Sequence, residues 1–171
     1  MERKFNHMLG FVLVMACLTA LDQWTKKLAV KSLMGKSPCV IWDGVFELFY
    51  SENRGAAFGM LQGRQTFFLF ISLVVFGIVM YVMAKLPAAR RFVPLEMCLS
   101  VICAGAAGNL IDRVSQGYVV DFLYFKLINF PIFNVADCYV TVGTAALMVL
   151  LLWHYKEEEF DMLYPRRKEQ A

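Results

Sequence analysis

The sequence predicts an all-α integral membrane protein, with four transmembrane helices carrying a small extracytoplasmic β-sheet. Three observations predict it. Hydrophobic residues make up 59% of the 171 and charged residues only 18%, against roughly 45–50% apolar in an ordinary soluble domain. A chain this short has too much surface for its volume to bury that excess, and a lipid solvent removes the conflict. Four long runs carry no charge, and the polar stretch between the first two has the β-branched and aromatic residues of strands. The length fits one domain, 1–171.

The uncharged runs are Met8–Leu21, Gln65–Ala84, Met97–Ile111 and Cys138–Trp153. At about 1.5 Å of rise per residue only the second covers a hydrocarbon core of about 30 Å. The others must extend into their polar flanks, which gives spans of about 8–28, 65–84, 94–111 and 136–154 and extracytoplasmic loops of about 29–64 and 112–135. Arg3 and Lys4 ahead of an apolar stretch resemble a signal peptide. However, Asp22-Gln23-Trp24-Thr25-Lys26 follows instead of a small-residue cleavage site, so the run is read as a retained helix.

Lysine and arginine set the orientation. Nine of the 17 fall in the N-terminal tail, in 85–94 and after 154, and the other eight are spread over 22–64 and 112–134, nearly twice as long. Both termini are therefore expected in the cytoplasm. Lys26, Lys27, Lys31 and Lys36 lie against this bias. In this topology Asp22, Asp112 and Asp137 reach one outer membrane level. A charge at bilayer depth costs roughly 2.5–3.5 kcal/mol on the lenient scale, so three acids together need partners or a purpose.

In the first outer loop, Val40-Ile41-Trp42 and Val45–Tyr50 flank Asp43-Gly44, the pattern of a small antiparallel sheet. Gly55–Leu61 is apolar and glycine-rich and is expected to rest on the membrane as a lip or lid. Phe122–Phe133 holds one charge, Lys126, and reads as a re-entrant or interfacial turn that folds Asp121 back toward Asp137.

Asp121 sits within the apolar string Val119–Leu123, and Asp137 follows Phe130–Ala136. Two close carboxylates cannot both ionise cheaply, so they share a proton and titrate as a unit. One can take a proton from water while the other gives one to the substrate, which hydrolyses amides without a metal or a covalent intermediate. There is no HExxH or GxSxG pattern, and His7 and His154 both lie at cytoplasmic ends, away from any outer Ser or Cys. Asn109 and Arg113 share a helix face, placed to hold a substrate backbone or neutralise a carboxylate. Ala104–Gly108 suits close helix contact. Asp22 and Lys26, four apart, form a structural ion pair on this reading, and Asp112 marks the end of the third run. The five cysteines suggest neither a disulfide framework nor a metal site, and Cys138 reads as a small packing residue.

Asp22-Gln23-Trp24-Thr25-Lys26, Glu52-Asn53-Arg54-Gly55-Ala56-Ala57-Phe58, Gly108-Asn109-Leu110-Ile111-Asp112-Arg113, Val120-Asp121-Phe122 and Phe133-Asn134-Val135-Ala136-Asp137 together resemble the lipoprotein signal peptidase (signal peptidase II) family, in its order and over most of residues 22–143. The resemblance implies an intramembrane aspartyl endopeptidase of the bacterial cytoplasmic membrane. Such enzymes cut prolipoproteins just before a diacylglyceryl-modified cysteine, at the outer leaflet and without a cofactor. It places Asp121 and Asp137 on the catalytic dyad and Asn53, Asn109, Arg113 and Asn134 near the site. It also implies a sheet and a Gly55–Leu61 region that cradle the lipidated substrate, and a cleft blocked by globomycin-type inhibitors. Ala104 and Cys138 stand where glycine and serine are common in the family, away from the dyad. Membrane lipids are the other expected partners, a monomer is expected, and no basic stripe suggests nucleic acid. A proton-coupled transporter would show midplane acids and an inverted repeat. A magnesium-dependent head-group transferase would need a tighter acidic cluster, and an assembly subunit gives no reason to bury two acids.

Overall fold

Among the described residues, four helices are long and apolar enough to cross a membrane, Glu2–Leu33, Thr66–Lys85, Arg90–Gln116 and Val135–His154. The structure is a computed structural model and describes residues 2–55 and 65–163. Its helices are α1 (Glu2–Leu33), α2 (Gln65–Lys85), α3 (Val93–Gln116) and α4 (Val135–Val149), the last continued by a wider turn over Leu150–His154. Large apolar side chains such as Phe70, Ile78 and Leu152 point outward, which suits lipid and not water. α3 is the most enclosed of the four and packs against the other three.

The helices outrun the uncharged runs, as runs too short to span require. α1 continues through Asp22 and Lys26 to Leu33, and α3 through Asp112 to Gln116. Gly117, at φ 78°, stops α3 in the left-handed conformation that glycine adopts at low cost, with its N–H on the Arg113 carbonyl.

β1 (Cys39–Trp42), β2 (Phe46–Asn53) and β3 (Val119–Phe125) form one antiparallel sheet in that order. The first two are the strands expected around Asp43-Gly44, where Gly44 turns at φ 70°. The third corrects the sequence reading. Asp121 lies on a strand opposite Ser51, not at the head of a re-entrant turn. Apart from Asp121 and Leu123, the string Val-Val-Asp-Phe-Leu-Tyr-Phe is β-branched or aromatic, and its lone acid disguised a strand buried at Val119–Phe122. The return toward Asp137 is made by backbone pairing of Leu123 with Phe133, which exchange hydrogen bonds of 2.8 and 3.0 Å. Beyond Gly55, the lip expected over Gly55–Leu61 lies outside the described residues.

One apolar core, including Phe11, Met83, Phe92, Leu99 and Tyr155, fills the end of the bundle away from the sheet. A smaller one, Ala29, Leu33, Val120 and Phe122, seats the sheet on α1. The helices approach closely where α3 carries small residues. A Cβ on Gly105 would collide with the Ala136 carbonyl, and one on Gly108 with the Asp22 carboxylate. Gly108→Ala should therefore push α1 and α3 apart and cost about 1–3 kcal/mol, read as a lower unfolding temperature in detergent. An unchanged temperature would mean that this contact has room to spare.

Candidate active site

The ends of α1, α3 and α4 meet the sheet around a buried polar cluster. Asn134 is its centre and is fully buried. It is the N-cap of α4: its side-chain oxygen accepts the Asp137 N–H at 3.0 Å, and the Asp137 carboxylate accepts the Asn134 N–H at 3.1 Å. This reciprocal capping box satisfies two N–H groups that the helix start leaves open and fixes the Asp137 side chain. The Asn134 Nδ2 donates to Asp121 Oδ1 at 2.6 Å and to Asn109 Oδ1 at 3.2 Å. A single residue therefore reaches both candidate carboxylates, Asp121 through its side-chain amide and Asp137 through its backbone N–H.

Asp121 accepts a second hydrogen bond, from Asn53 Nδ2 at 2.9 Å, and is only 2% exposed. Burial, and next the charge of Asp137, push its carboxyl up to about 7. Asp137 accepts its other hydrogen bond from Asn109 Nδ2 at 2.8 Å.

The remaining polar residues hold these in place. Lys26 lies 2.9 Å from Asp22 and 3.1 Å from Asp112, all three buried, and donates to Asn109 Oδ1 at 2.9 Å. Lys26 and Asn134 both donate to that oxygen, which orients the Asn109 amide with its Nδ2 toward Asp137. Asp22 also accepts the Ala136 N–H at 2.9 Å, next to Asp137 in the chain. Asp112 accepts the Val120 N–H at 3.1 Å, next to Asp121. Each acid of the ion-pair network thus anchors the backbone beside one acid of the pair.

Arg113 touches neither acid by hydrogen bond. Its guanidinium donates to the carbonyls of Asn109 at 3.3 Å and Gly55 at 3.4 Å and lies 4.5 Å from the centre of the Phe68 ring. Its Nε is buried with no acceptor among the described residues. A cavity of about 510 Å³ opens beside it, lined by the polar Asp137, Asn53 and Arg113 and by the apolar Phe68, Phe133 and Val142. Cys138 also lines this cavity, and all five cysteines are unpaired.

All nine residues singled out from the sequence reach this region. Three features were missed. Gln23, quoted only within a string, donates to Asp112 at 2.8 Å and to the Gly108 carbonyl at 3.1 Å. Phe68 gave no sequence signal. The capping box was readable as Asn134-x-x-Asp137 ahead of an apolar run.

A profile of the family described as "Signal peptidase (SPase) II" matches residues 14–153. The chain belongs to that family. It is 46% identical over 143 residues to the lipoprotein signal peptidase of Caldanaerobacter subterraneus subsp. tengcongensis, covering 83% of this chain and 95% of that protein. It is 44% identical over 140 residues to the one from Brevibacillus brevis, covering 81% and 92%. A solved bacterial membrane enzyme superposes with a TM-score of 0.76 at 30% identity, over 86% of this chain and 92% of that one. Membership makes the chain a peptidase, and with its four apolar helices a multi-pass membrane protein.

Proposed function

We propose that this signal peptidase II family member is an aspartyl endopeptidase. It removes signal peptides from diacylglyceryl-modified prolipoproteins, cutting just before the lipidated cysteine, with Asp121 and Asp137 as the dyad. The observation that carries the reading is Asn134, whose side-chain amide donates to the Asp121 carboxylate and whose backbone N–H donates to that of Asp137, beside a cavity that only Asp137 of the two lines.

Asp121, buried and raised to about 7, carries the shared proton below that pH. Asp137, facing the cavity, takes a proton from water as its oxygen adds to the scissile carbonyl carbon. Asp121 protonates that carbonyl oxygen. When the resulting diol collapses the C–N bond breaks, one diol hydroxyl returns its proton to Asp121, and the proton on Asp137 passes to the leaving nitrogen. Arg113 Nε and Asn53 are placed to hold the substrate backbone, while Phe68, Phe133 and Val142 suit acyl chains. Globomycin-type inhibitors would compete for the same cavity. The lysine and arginine bias puts both termini in the cytoplasm, so the sheet end and the dyad lie at the outer leaflet of the bacterial cytoplasmic membrane. The protein acts as a monomer on this reading and needs no cofactor.

The test is purified protein incubated with a diacylglyceryl-modified precursor, scored for free signal peptide with and without a chelator. Release that survives the chelator is expected. Chelator-dependent release, or cleavage of the unlipidated precursor at the same rate, would reject the reading. Asn134→Ala removes a helix cap worth about 0.5–2 kcal/mol and one hydrogen bond to Asp121, yet leaves both acids. It should slow turnover by less than either aspartate change, and an equal loss would give Asn134 a larger role than positioning.

A further inference from the structure

Between α1 and α3 lies a second crevice, of about 370 Å³, that shares no lining residue with the 510 Å³ cavity and that the peptidase chemistry does not use. Gln23, Lys26, Lys27 and Lys31 of α1 line one side, and Ser115 and Gln116 of α3 the other. We propose that it binds the headgroup of an anionic glycerophospholipid. The inference rests on the four-span topology and not on the dyad.

Charge is the first argument. Lys26 is matched by Asp22 and Asp112. Asp112 also borders the crevice, but its two oxygens are taken up by Gln23, Lys26 and the Val120 N–H. Lys27 and Lys31, one helical turn apart and so on one face, have no carboxylate partner among the described residues. Counted with Lys26, Asp22 and Asp112, they leave the crevice with a surplus of one positive charge.

The surroundings are the second. Along α1, Trp24 and Leu28 stand beside the lysines and are 58% and 42% exposed, and on α3 Val114 beside Ser115 is 70% exposed. An apolar margin around a cationic crevice at the end of a membrane span fits a molecule with two greasy tails and a negative head. Lys27 and Lys31 defy the charge bias that orients the other segments. A bound anionic lipid supplies the counter-charge that makes them tolerable there.

The test uses the full chain with Trp42→Phe and Trp153→Phe, both exposed positions, so that Trp24 is the one indole left. It is reconstituted in phosphatidylcholine vesicles containing a small fraction of bromine-labelled phosphatidylglycerol or bromine-labelled phosphatidylcholine. One lysine near an anionic headgroup is worth about a fivefold preference, so phosphatidylglycerol should half-quench Trp24 at a mole fraction at least about fivefold lower. Lys27→Gln with Lys31→Gln should erase the difference, whereas Lys36→Gln should keep it. Excess inorganic phosphate should not compete. Equal quenching by the two lipids, an equal loss in Lys36→Gln, or displacement by free phosphate would each overturn the site. Precursor cleavage by the same vesicles reports the fold of each variant. Its absence in the parent would undo the proposed reaction and leave the lipid comparison readable.

Discussion

Replacing either Asp121 or Asp137 with asparagine should abolish precursor cleavage while leaving a folded, membrane-inserted protein. Asparagine keeps the size of the side chain but cannot exchange a proton. At position 137 its oxygen can still accept the Asn134 N–H that closes the cap of α4. At position 121 the change removes a carboxylate that burial had already made reluctant to ionise. Losing one acid–base partner costs at least ~10²–10⁴ in rate. Because the two act as one unit, the double variant should be little worse than either single one. Near-normal turnover by either variant would refute the assigned dyad.

The same geometry shows what could be read in the chain beforehand. The spans were legible because uncharged runs and lysine–arginine bias are one-dimensional signals. The hairpin was legible because Asp43-Gly44 separates two β-rich strings. Strand β3 was not, since its partner β2 lies some seventy residues away and a buried acid in an apolar string fits a loop as well as a strand. Asp121 and Asp137 stood out as charges in apolar surroundings. What joins them did not: the Leu123–Phe133 pairing that returns the chain, and the amide of Asn134, bonded to Asn109, whose own orientation depends on a lysine more than eighty residues upstream. Gln23 and Phe68 act through three-dimensional contact alone and left no pattern.

Lys26→Met should have the second largest effect, and on stability as well as rate. The ammonium group is the only cation within salt-bridge distance of the buried Asp22 and Asp112 among the described residues. Removing one partner of a buried charge network costs about 3–5 kcal/mol. The loss would reach the site twice over, through the Ala136 and Val120 backbone groups that Asp22 and Asp112 hold, and through the Asn109 oxygen that Lys26 itself orients. The expected result is a markedly lower unfolding temperature in detergent together with lost cleavage. Adding Asp112→Asn should recover part of the temperature, because one stranded charge is gone. A stable and active Lys26→Met protein would mean that the network is dispensable.

The central claim, that Asp121 and Asp137 share one proton, is tested most directly by the pH dependence of kcat/KM on a diacylglyceryl-modified precursor. Asp121 must be protonated and its partner ionised, so activity should fall as pH rises through about 7, where Asp121 loses its proton, and fall again in acid once both are protonated. A rate that stays at its maximum well into the alkaline range would contradict the account.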